Sequence, residues 1–542
     1  MINSKLFKFQ ASHTRFTLIF TSLMYVVCNA FNFDKIAKWF YLGDTLDYVA
    51  LLAYLTLGLS LFITFFAIFA HRWSIKPLAI LLIILSAAAT YFVSKYNVAI
   101  DTSMIMNIVH TDPTEVSSLL STQMIPYVIF LIILPIFIVI NTTITFDKPF
   151  AYLFSSIKLG TLAFVIGLAL LYLNSNSILR AGNISQKYII HSLVPVNYIR
   201  SIITNISNTI APVYAGIKKK AEFSGSVSAE DDLIVVLAIG ETSRQKNFNL
   251  YGYDRKTTNP VLSKVNDLHV LNGIARLAST LYALPEILEK NDVKLTRITS
   301  TLGIDTFCYV NYTLYDNCTS VGEIKAENCK HGGKCYDEDV VPLLEGNLES
   351  YNSGSRFIVL HLGGGSHGPL YNNRHPPEFQ QFSPMCSDAD VINKCTVEEL
   401  YNSYDNTILY VDYVLGEIIS KLDNSGAPYV FIYLSDHGES LLEDGVIFHG
   451  MPPGISLPPE QAQVPLIIKS SVPISLTKRD EYTQQDVYDS VLELLSIKVD
   501  IFENKGSFIK LDEHDKSPGV ASGIYAKCTS SSPNSSQPNN CG

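Results

Sequence analysis

Four stretches beyond residue 230 leave carboxylate and imidazole groups where apolar runs stop. FIYLSDHGES, Phe431 to Ser440, reads as a buried strand over Phe431 to Leu434 that ends by presenting Asp436 and His437 side by side. An earlier run, DLIVVLAI from Asp232 to Ile239, ends in GETSR and delivers Glu241 in the same way. His367 stands in GGGSHGP and His449 in FHGMPP, both in glycine-containing turns beyond apolar residues. Carboxylate oxygen and imidazole nitrogen suit zinc or manganese. Open α/β sheets gather such groups beyond the C-terminal ends of their strands. Each fragment alone has a plainer reading as a capped strand end, because Asp and Gly are common turn residues. Together, in this order, they point to a metal site assembled from loops.

The elements that must hold these groups alternate along the chain. Short apolar strands are predicted at Asp232–Ile239, Arg356–Leu362, Tyr429–Leu434 and Val464–Lys469. From Tyr401 to Leu422, apolar residues at Tyr401, Tyr404, Ile408, Val411, Leu415 and Ile418 keep the three- and four-residue spacing of a helix, and Asp486–Ile497 behaves similarly. Such alternation predicts an α/β domain, a mostly parallel sheet with helices on both faces. In ASTLYALP, Ala278 to Pro285, the hydroxyls of Ser279 and Thr280 precede a helix-compatible stretch, Leu281 to Lys290. Either hydroxyl could simply cap that helix, or the helix start could aim its amides at a phosphate.

The 542 residues are too many for one ordinary domain. With 48% hydrophobic and 17% charged residues, the composition fits a membrane protein with a soluble part. A net charge of -10 and the lack of a basic face argue against nucleic-acid binding. Five apolar stretches, Phe16–Phe33, Tyr48–Ala70, Pro77–Tyr96, Met124–Ile144 and Phe150–Leu173, each approach the length of a transmembrane helix. Lys5, Lys8, Arg15, Arg72, Lys76, Lys148 and Lys158 outweigh Lys35, Lys38 and Lys95 on the other side, placing the N-terminus in the cytoplasm. Five spans then export everything beyond residue 175. Eight of the nine cysteines follow residue 300, as expected of disulfides in an oxidising compartment. Neighbours in sequence suggest the pairs Cys308–Cys318, Cys329–Cys335, Cys386–Cys395 and Cys528–Cys541. The expected organisation is a five-span transmembrane domain over 1–176, bridging interfacial helices over 177–229, a catalytic domain over 230–515 and a low-complexity tail over 516–542. The bridging segment includes Lys187–Ile206 and the basic run Lys218–Lys220, read as lying on the outer leaflet against membrane lipids, with an ordinary linker as the alternative.

The order GETSR, NLYGYDR (Asn249–Arg255), SHGP, SDHGES and FHGMP behind five apolar spans resembles the phosphoethanolamine transferases that modify lipid A. That group includes the mobile colistin-resistance enzymes and belongs to the alkaline-phosphatase and sulfatase-like superfamily. The resemblance implies a sulfatase-like catalytic domain in the periplasm of a bacterial inner-membrane protein. It implies that Glu241, Asp436 and His437 bind a catalytic Zn2+, with a threonine as fourth ligand and nucleophile. The family's nucleophile lies five residues before a proline, which here is Thr280, with Ser279 as runner-up. His367 and His449 would hold the transferred phosphate or a second zinc, and Glu439 would either support the site from behind or begin a helix. Relatives commonly flank the nucleophile with two cysteines; here those positions are Arg276 and Glu286, and an ion pair between them is the expected partial replacement. The SHGP strand also carries an extra glycine within Gly363–Gly365.

The implied reaction moves phosphoethanolamine from phosphatidylethanolamine to lipid A through a phospho-threonine intermediate, lowering surface negative charge and giving resistance to polymyxin-like peptides. Rival readings are transfer to a core sugar, glycan or protein, transfer of phosphoglycerol, and a non-enzymatic exported metal-binding scaffold. A sulfatase is disfavoured because the Cys/Ser-x-Pro-x-Arg signature is absent. The sequence leaves the oligomeric state open.

Overall fold

The computed structural model describes residues 9–42, 44–96, 100–110, 122–146, 149–175, 191, 193–214, 222–228, 232–310, 321–323, 329–332, 334–363, 365–388, 390–451, 456–512 and 524–527. Contacts divide the chain near Ala211 into an N-terminal and a C-terminal unit. Lys5, Lys8, Lys148, Lys218–Lys220, Cys318, Cys528 and Cys541 lie outside the described residues.

The N-terminal unit is helical: α1 (His13–Ala30), α2 (Tyr48–Phe69), α3 (Ile75–Tyr96), α4 (Met124–Asn141), α5 (Pro149–Leu173) and α6 (Val196–Tyr214). Among the described residues, four helices are long and apolar enough to cross a membrane: α2, α3, α4 and most of α5. The expected fifth, α1, is diluted by His13, Arg15, Thr17, Thr21 and Asn29. It buries His13, Thr17, Thr21 and Asn29 while Ile19, Leu23 and Val26 stay exposed, so its polar residues face its neighbours. Asn29 Nδ2 donates to the Val194 carbonyl over 2.6 Å, tying α1 to the start of α6. In α4, a π-helical turn over Val128–Ile133 directly precedes Pro135, whose missing N–H interrupts the regular ladder. Small residues let α2 and α5 approach closely: Thr64 Oγ1 donates to Gly160 O over 3.0 Å, and a Cβ at Gly167 would meet Ser60 Oγ at 2.2 Å.

The C-terminal unit is built on an eight-stranded sheet. Its strands are β1 (Ile234–Gly240), β2 (His269–Ile274), β3 (Asp305–Val310), β4 (Val321–Glu323), β5 (Arg356–Leu362), β6 (Tyr429–Ser435), β7 (Gln463–Ser470) and β8 (Tyr482–Thr483). They lie in the order β4-β3-β5-β1-β6-β7-β2-β8. Pairings are parallel from β4 through β6, antiparallel on either side of β7, and parallel again between β2 and β8. Every residue of β1, β5 and β6 is buried, which accounts for their largely apolar sequences, with Arg356 and His361 of β5 the charged and imidazole exceptions. Alternate residues of β1 serve opposite faces. Ile234, Val236 and Ala238 pack with α8 (Val340–Glu349) and α9 (Val397–Ser425), whereas Val235, Leu237 and Ile239 pack with α7 (Thr280–Leu288) and α10 (Gln484–Leu494). The predicted mostly parallel sheet with helices on both faces is therefore present, and β2, β3, β4 and β8 complete it.

Cys329–Cys335 and Cys386–Cys395 are bonded as expected, and Cys308 is also disulfide-bonded. Cys28 is free and buried. Residues Ile524–Lys527 of the expected tail form a strand against Ser224–Val227. The Arg276–Glu286 ion pair is a correction: no such pair occurs among the described residues. Gln485 Nε2 instead donates to the carbonyls of Glu286 (2.6 Å) and Glu289 (2.9 Å), so α10 rather than a local pair holds the end of α7.

Candidate active site

Neighbouring strands β1 and β6 end in register, with Gly240 opposite Ser435, so Glu241 and Asp436 leave the sheet together. The chain then turns sharply. Thr242 adopts φ 52°, a strained value for a β-branched residue. Its N–H donates to Asp436 Oδ1 over 3.0 Å, and its carbonyl accepts from the Tyr404 hydroxyl over 2.8 Å. The His437 N–H also donates to Asp436 Oδ1, over 2.7 Å. One carboxylate oxygen is thereby committed to the backbone, and Asp436 Oδ2 is left buried without a hydrogen-bond partner. The same holds for His437 Nε2, which lies 3.3 Å from Asp436 Oδ2 and 3.8 Å from Glu241 Oε1.

Thr280 is the first residue of α7, and its Oγ1 donates to Glu241 Oε1 and Oε2 over 3.2 and 3.1 Å. Ser279 precedes the helix, is buried, and makes no side-chain cap. Ligand atoms of Glu241, Asp436 and His437 all lie within 4.8 Å of one another, and all three residues are buried. Two buried carboxylates this close repel unless a proton or cation is shared between them. The orphaned Oδ2 and Nε2 aimed at the same space fit a divalent cation with oxygen and nitrogen ligands.

The second histidine pair joins this group. The His449 ring lies 4.5 Å from His437 and 4.9 Å from His367, centroid to centroid. Glu439 is buried beneath them: its Oε2 is 2.6 Å from His449 Nδ1 and its Oε1 accepts from the Tyr371 hydroxyl over 2.9 Å. Glu439 thus supports His449 and begins no helix. A carboxylate at Nδ1 fixes the ring tautomer that leaves Nε2 as a ligand or acceptor. Arg374 brackets His367, its Nε donating to the His367 carbonyl over 3.0 Å and its Nη2 lying 3.1 Å from Nδ1. Burial, with Arg374 and His449 nearby, holds the His367 ring well below its ordinary pKa, and burial also lowers that of His437. Both rings are neutral near pH 7, as ligation requires.

Several supporting residues carry no signal in sequence patterning. A Cβ at Gly365 would approach the Glu241 carbonyl at 2.6 Å, so only glycine lets the SHGP loop pass, and Ser366 N–H bonds that carbonyl over 3.0 Å. Asp337, just beyond the Cys329–Cys335 bridge, accepts from Gly365 N–H over 3.0 Å. The NLYGYDR run proves architectural. Arg255 pairs with buried Asp405 at 2.6 Å, and Tyr253 and Asn247 bond the same carboxylate. Arg244, fully buried, pairs with Glu443 at 2.7 Å and donates to the Glu439 carbonyl over 3.0 Å. Arg244→Met is expected to destabilise the C-terminal unit by about 3 kcal/mol, since it takes the buried cationic partner from Glu443 and a donor from both the Glu439 carbonyl and Asn247 Oδ1. Thermal unfolding of the purified protein would measure this.

Both halves of the chain are similar to known proteins. Residues 270–497 match the sulfatase family, and residues 59–210 match the family described as phosphoethanolamine transferase EptA/EptB. Phosphoethanolamine transferase EptA of Helicobacter pylori is 32% identical over 445 residues, covering 78% of this chain and 80% of that protein. Phosphatidylethanolamine transferase Mcr-1 of Escherichia coli is 26% identical over 528 residues, covering 88% and 94%. The fold is that of the full-length lipooligosaccharide phosphoethanolamine transferase A of Neisseria meningitidis, with TM-score 0.78 at 24% identity over 90% of this chain and 96% of that one. With its helical membrane unit, its sulfatase-like sheet and its buried cluster at the strand ends, the chain belongs to the lipid A phosphoethanolamine transferase family of the alkaline-phosphatase and sulfatase-like superfamily.

Proposed function

We propose that this protein transfers phosphoethanolamine from phosphatidylethanolamine to lipid A by two displacements at Thr280. The observation that carries the reading is the Thr280 hydroxyl, 3.1–3.2 Å from both oxygens of Glu241 and adjoining the Glu241–Asp436–His437 cluster. Glu241, Asp436, His437 and Thr280 Oγ1 would hold one Zn2+, whose charge when bound favours the deprotonated hydroxyl. In the first displacement Thr280 Oγ1 forms a bond to the phosphorus of the donor while the bond to the diacylglycerol oxygen breaks, and that oxygen takes up a proton. In the second, an acceptor phosphate or hydroxyl oxygen of lipid A bonds to the phosphorus and the Thr280 bond breaks. Such covalent catalysis gives ping-pong kinetics. His367 and His449 line the space beside the cluster and would stabilise charge on the phosphoryl oxygens or hold a second zinc. With the N-terminus in the cytoplasm and α1 as a fifth span, the catalytic unit faces the periplasm. Each transfer adds an amine to the outer surface and weakens attraction for polymyxin-like cationic peptides.

Mass spectrometry of lipid A from a strain with and without the protein tests the reading: an added phosphoethanolamine supports it, and unmodified lipid A alongside a modified glycan or protein would redirect it to another acceptor. Glu439→Gln provides a finer check. An amide cannot accept from both His449 and Tyr371 with the same two atoms, so one bond is lost. Turnover is expected to fall about 10- to 100-fold, measured with a fluorescent phosphatidylethanolamine.

A further inference from the structure

The two halves of the site lie on different elements, and one helix start touches both. Ser435 ends β6 with Asp436 and His437 just beyond it, whereas Thr280 begins α7. Thr483 and Asp486 close a reciprocal capping box at the start of α10, which fixes the two glutamines between them. Gln484, buried, reaches toward the sheet: its Nε2 donates over 2.5 Å to the Asp436 carbonyl, the oxygen of the peptide that joins the two cation ligands, and lies 3.4 Å from the Ser435 carbonyl. Gln485 reaches the other way, to the Glu286 and Glu289 carbonyls at the far end of α7. Farther along α10, Asp489 pairs with Lys290 at 2.6 Å and Tyr488 donates to the Val293 carbonyl over 3.1 Å.

We infer that Gln484 and Gln485 are positioning residues that together set the distance between the Thr280 hydroxyl and the Glu241–Asp436–His437 cluster. This inference rests on the reading of Thr280 as the nucleophile. The physical need for it is plain. The end of α7 carries carbonyls without helical partners, and Pro285 interrupts the helix's own bonding. With no Arg276–Glu286 pair beside the nucleophile, α7 is held against the sheet by apolar packing and by these donors from α10. A misplacement of about 1 Å costs a reaction of this kind about 100-fold.

The test uses the full-length protein in detergent, with four readouts: single-turnover labelling of Thr280 by intact mass, KM for the donor lipid, zinc affinity by chelator competition, and thermal midpoint. Gln485→Met keeps the side-chain length and removes the donor. It is expected to slow Thr280 labelling about 10- to 100-fold with zinc affinity and donor KM unchanged. Gln485→Lys, which restores a donor, should recover most of the rate, and Gln485→Glu should not. Gln484→Met is expected to weaken zinc as well as slow labelling, because it frees the Asp436–His437 peptide. Normal labelling in Gln485→Met would overturn the inference. So would a slowed rate that Gln485→Lys fails to restore while the thermal midpoint falls equally in both, since that is the signature of simple destabilisation. Thr280→Ala serves as the control: if it still transfers the group, the nucleophile assignment itself is wrong and the inference falls with it, a result distinct from either failure at Gln485.

Discussion

Thr280→Ala is expected to reduce transfer by about 10^4-fold or more while leaving the fold and the three-residue ligand set in place. The hydroxyl and one methyl are lost, and Ala is a better helix former than Thr at the start of α7. The structure offers one nearby substitute, the buried Ser279, whose side chain does not cap the helix. If Ser279 could replace Thr280, the variant would retain activity and Ser279→Ala would abolish it. The expected pattern is the reverse: Ser279→Ala active, Thr280→Ala inactive, and Thr280→Ser active because the attacking oxygen is kept. Incubation with phosphatidylethanolamine followed by peptide mass analysis should find phosphoethanolamine on the peptide containing position 280 in the wild type and nowhere in Thr280→Ala.

Asp436→Asn is expected to weaken zinc binding by more than about 100-fold and to abolish transfer with it. The direction follows from hydrogen bonding. Asp436 Oδ1 accepts two backbone N–H groups, from Thr242 and His437, so an Asn must place its carbonyl oxygen there. Its amide nitrogen then occupies the position of Oδ2 and turns two N–H bonds toward the space where the cation would sit. Chelator titration followed by thermal unfolding separates this from misfolding. The wild type should lose stability when zinc is removed, since bound ligand stabilises the native state, and the two carboxylates then face each other without compensation. Asp436→Asn carries one buried charge fewer, so its melting should hardly respond to chelator. A variant that still melted lower on chelation would place the cation elsewhere.

What could be read from the sequence was what depends on local pattern. The strands β1, β5 and β6 are legible because a strand buried on both faces needs a largely apolar run, and the clustered Glu241, Asp436 and His437 are legible because they directly follow β1 and β6. The strand β2 was not, since HVLNGI mixes polar and apolar residues and joins the sheet only through six pairings with β7 and two with β8, both remote in sequence. Arg244 sits in a motif that was legible, yet its complete burial was not, because burial of a guanidinium depends on Glu443 and the Glu439 carbonyl meeting it from far along the chain. The expected Arg276–Glu286 pair failed for the same reason. Their places at the family's flanking cysteine positions suggested a pair, and the residue that actually grips α7, Gln485, lies 199 positions beyond Glu286. Gln484 and Gln485 look like any polar pair at a helix start until the carbonyls they meet are known.

The register that places Gly240 beside Ser435 joins segments of the chain that are remote from one another: Thr242 and Asp436 are 194 positions apart. Closing so long a loop is entropically unfavourable and slow, so a nascent chain offers the adjacent Asp436 and His437 without Glu241. A cation held as proposed by Glu241, Asp436 and His437 would therefore be captured only after the central sheet forms, as a seal on a finished scaffold and not as a seed for folding.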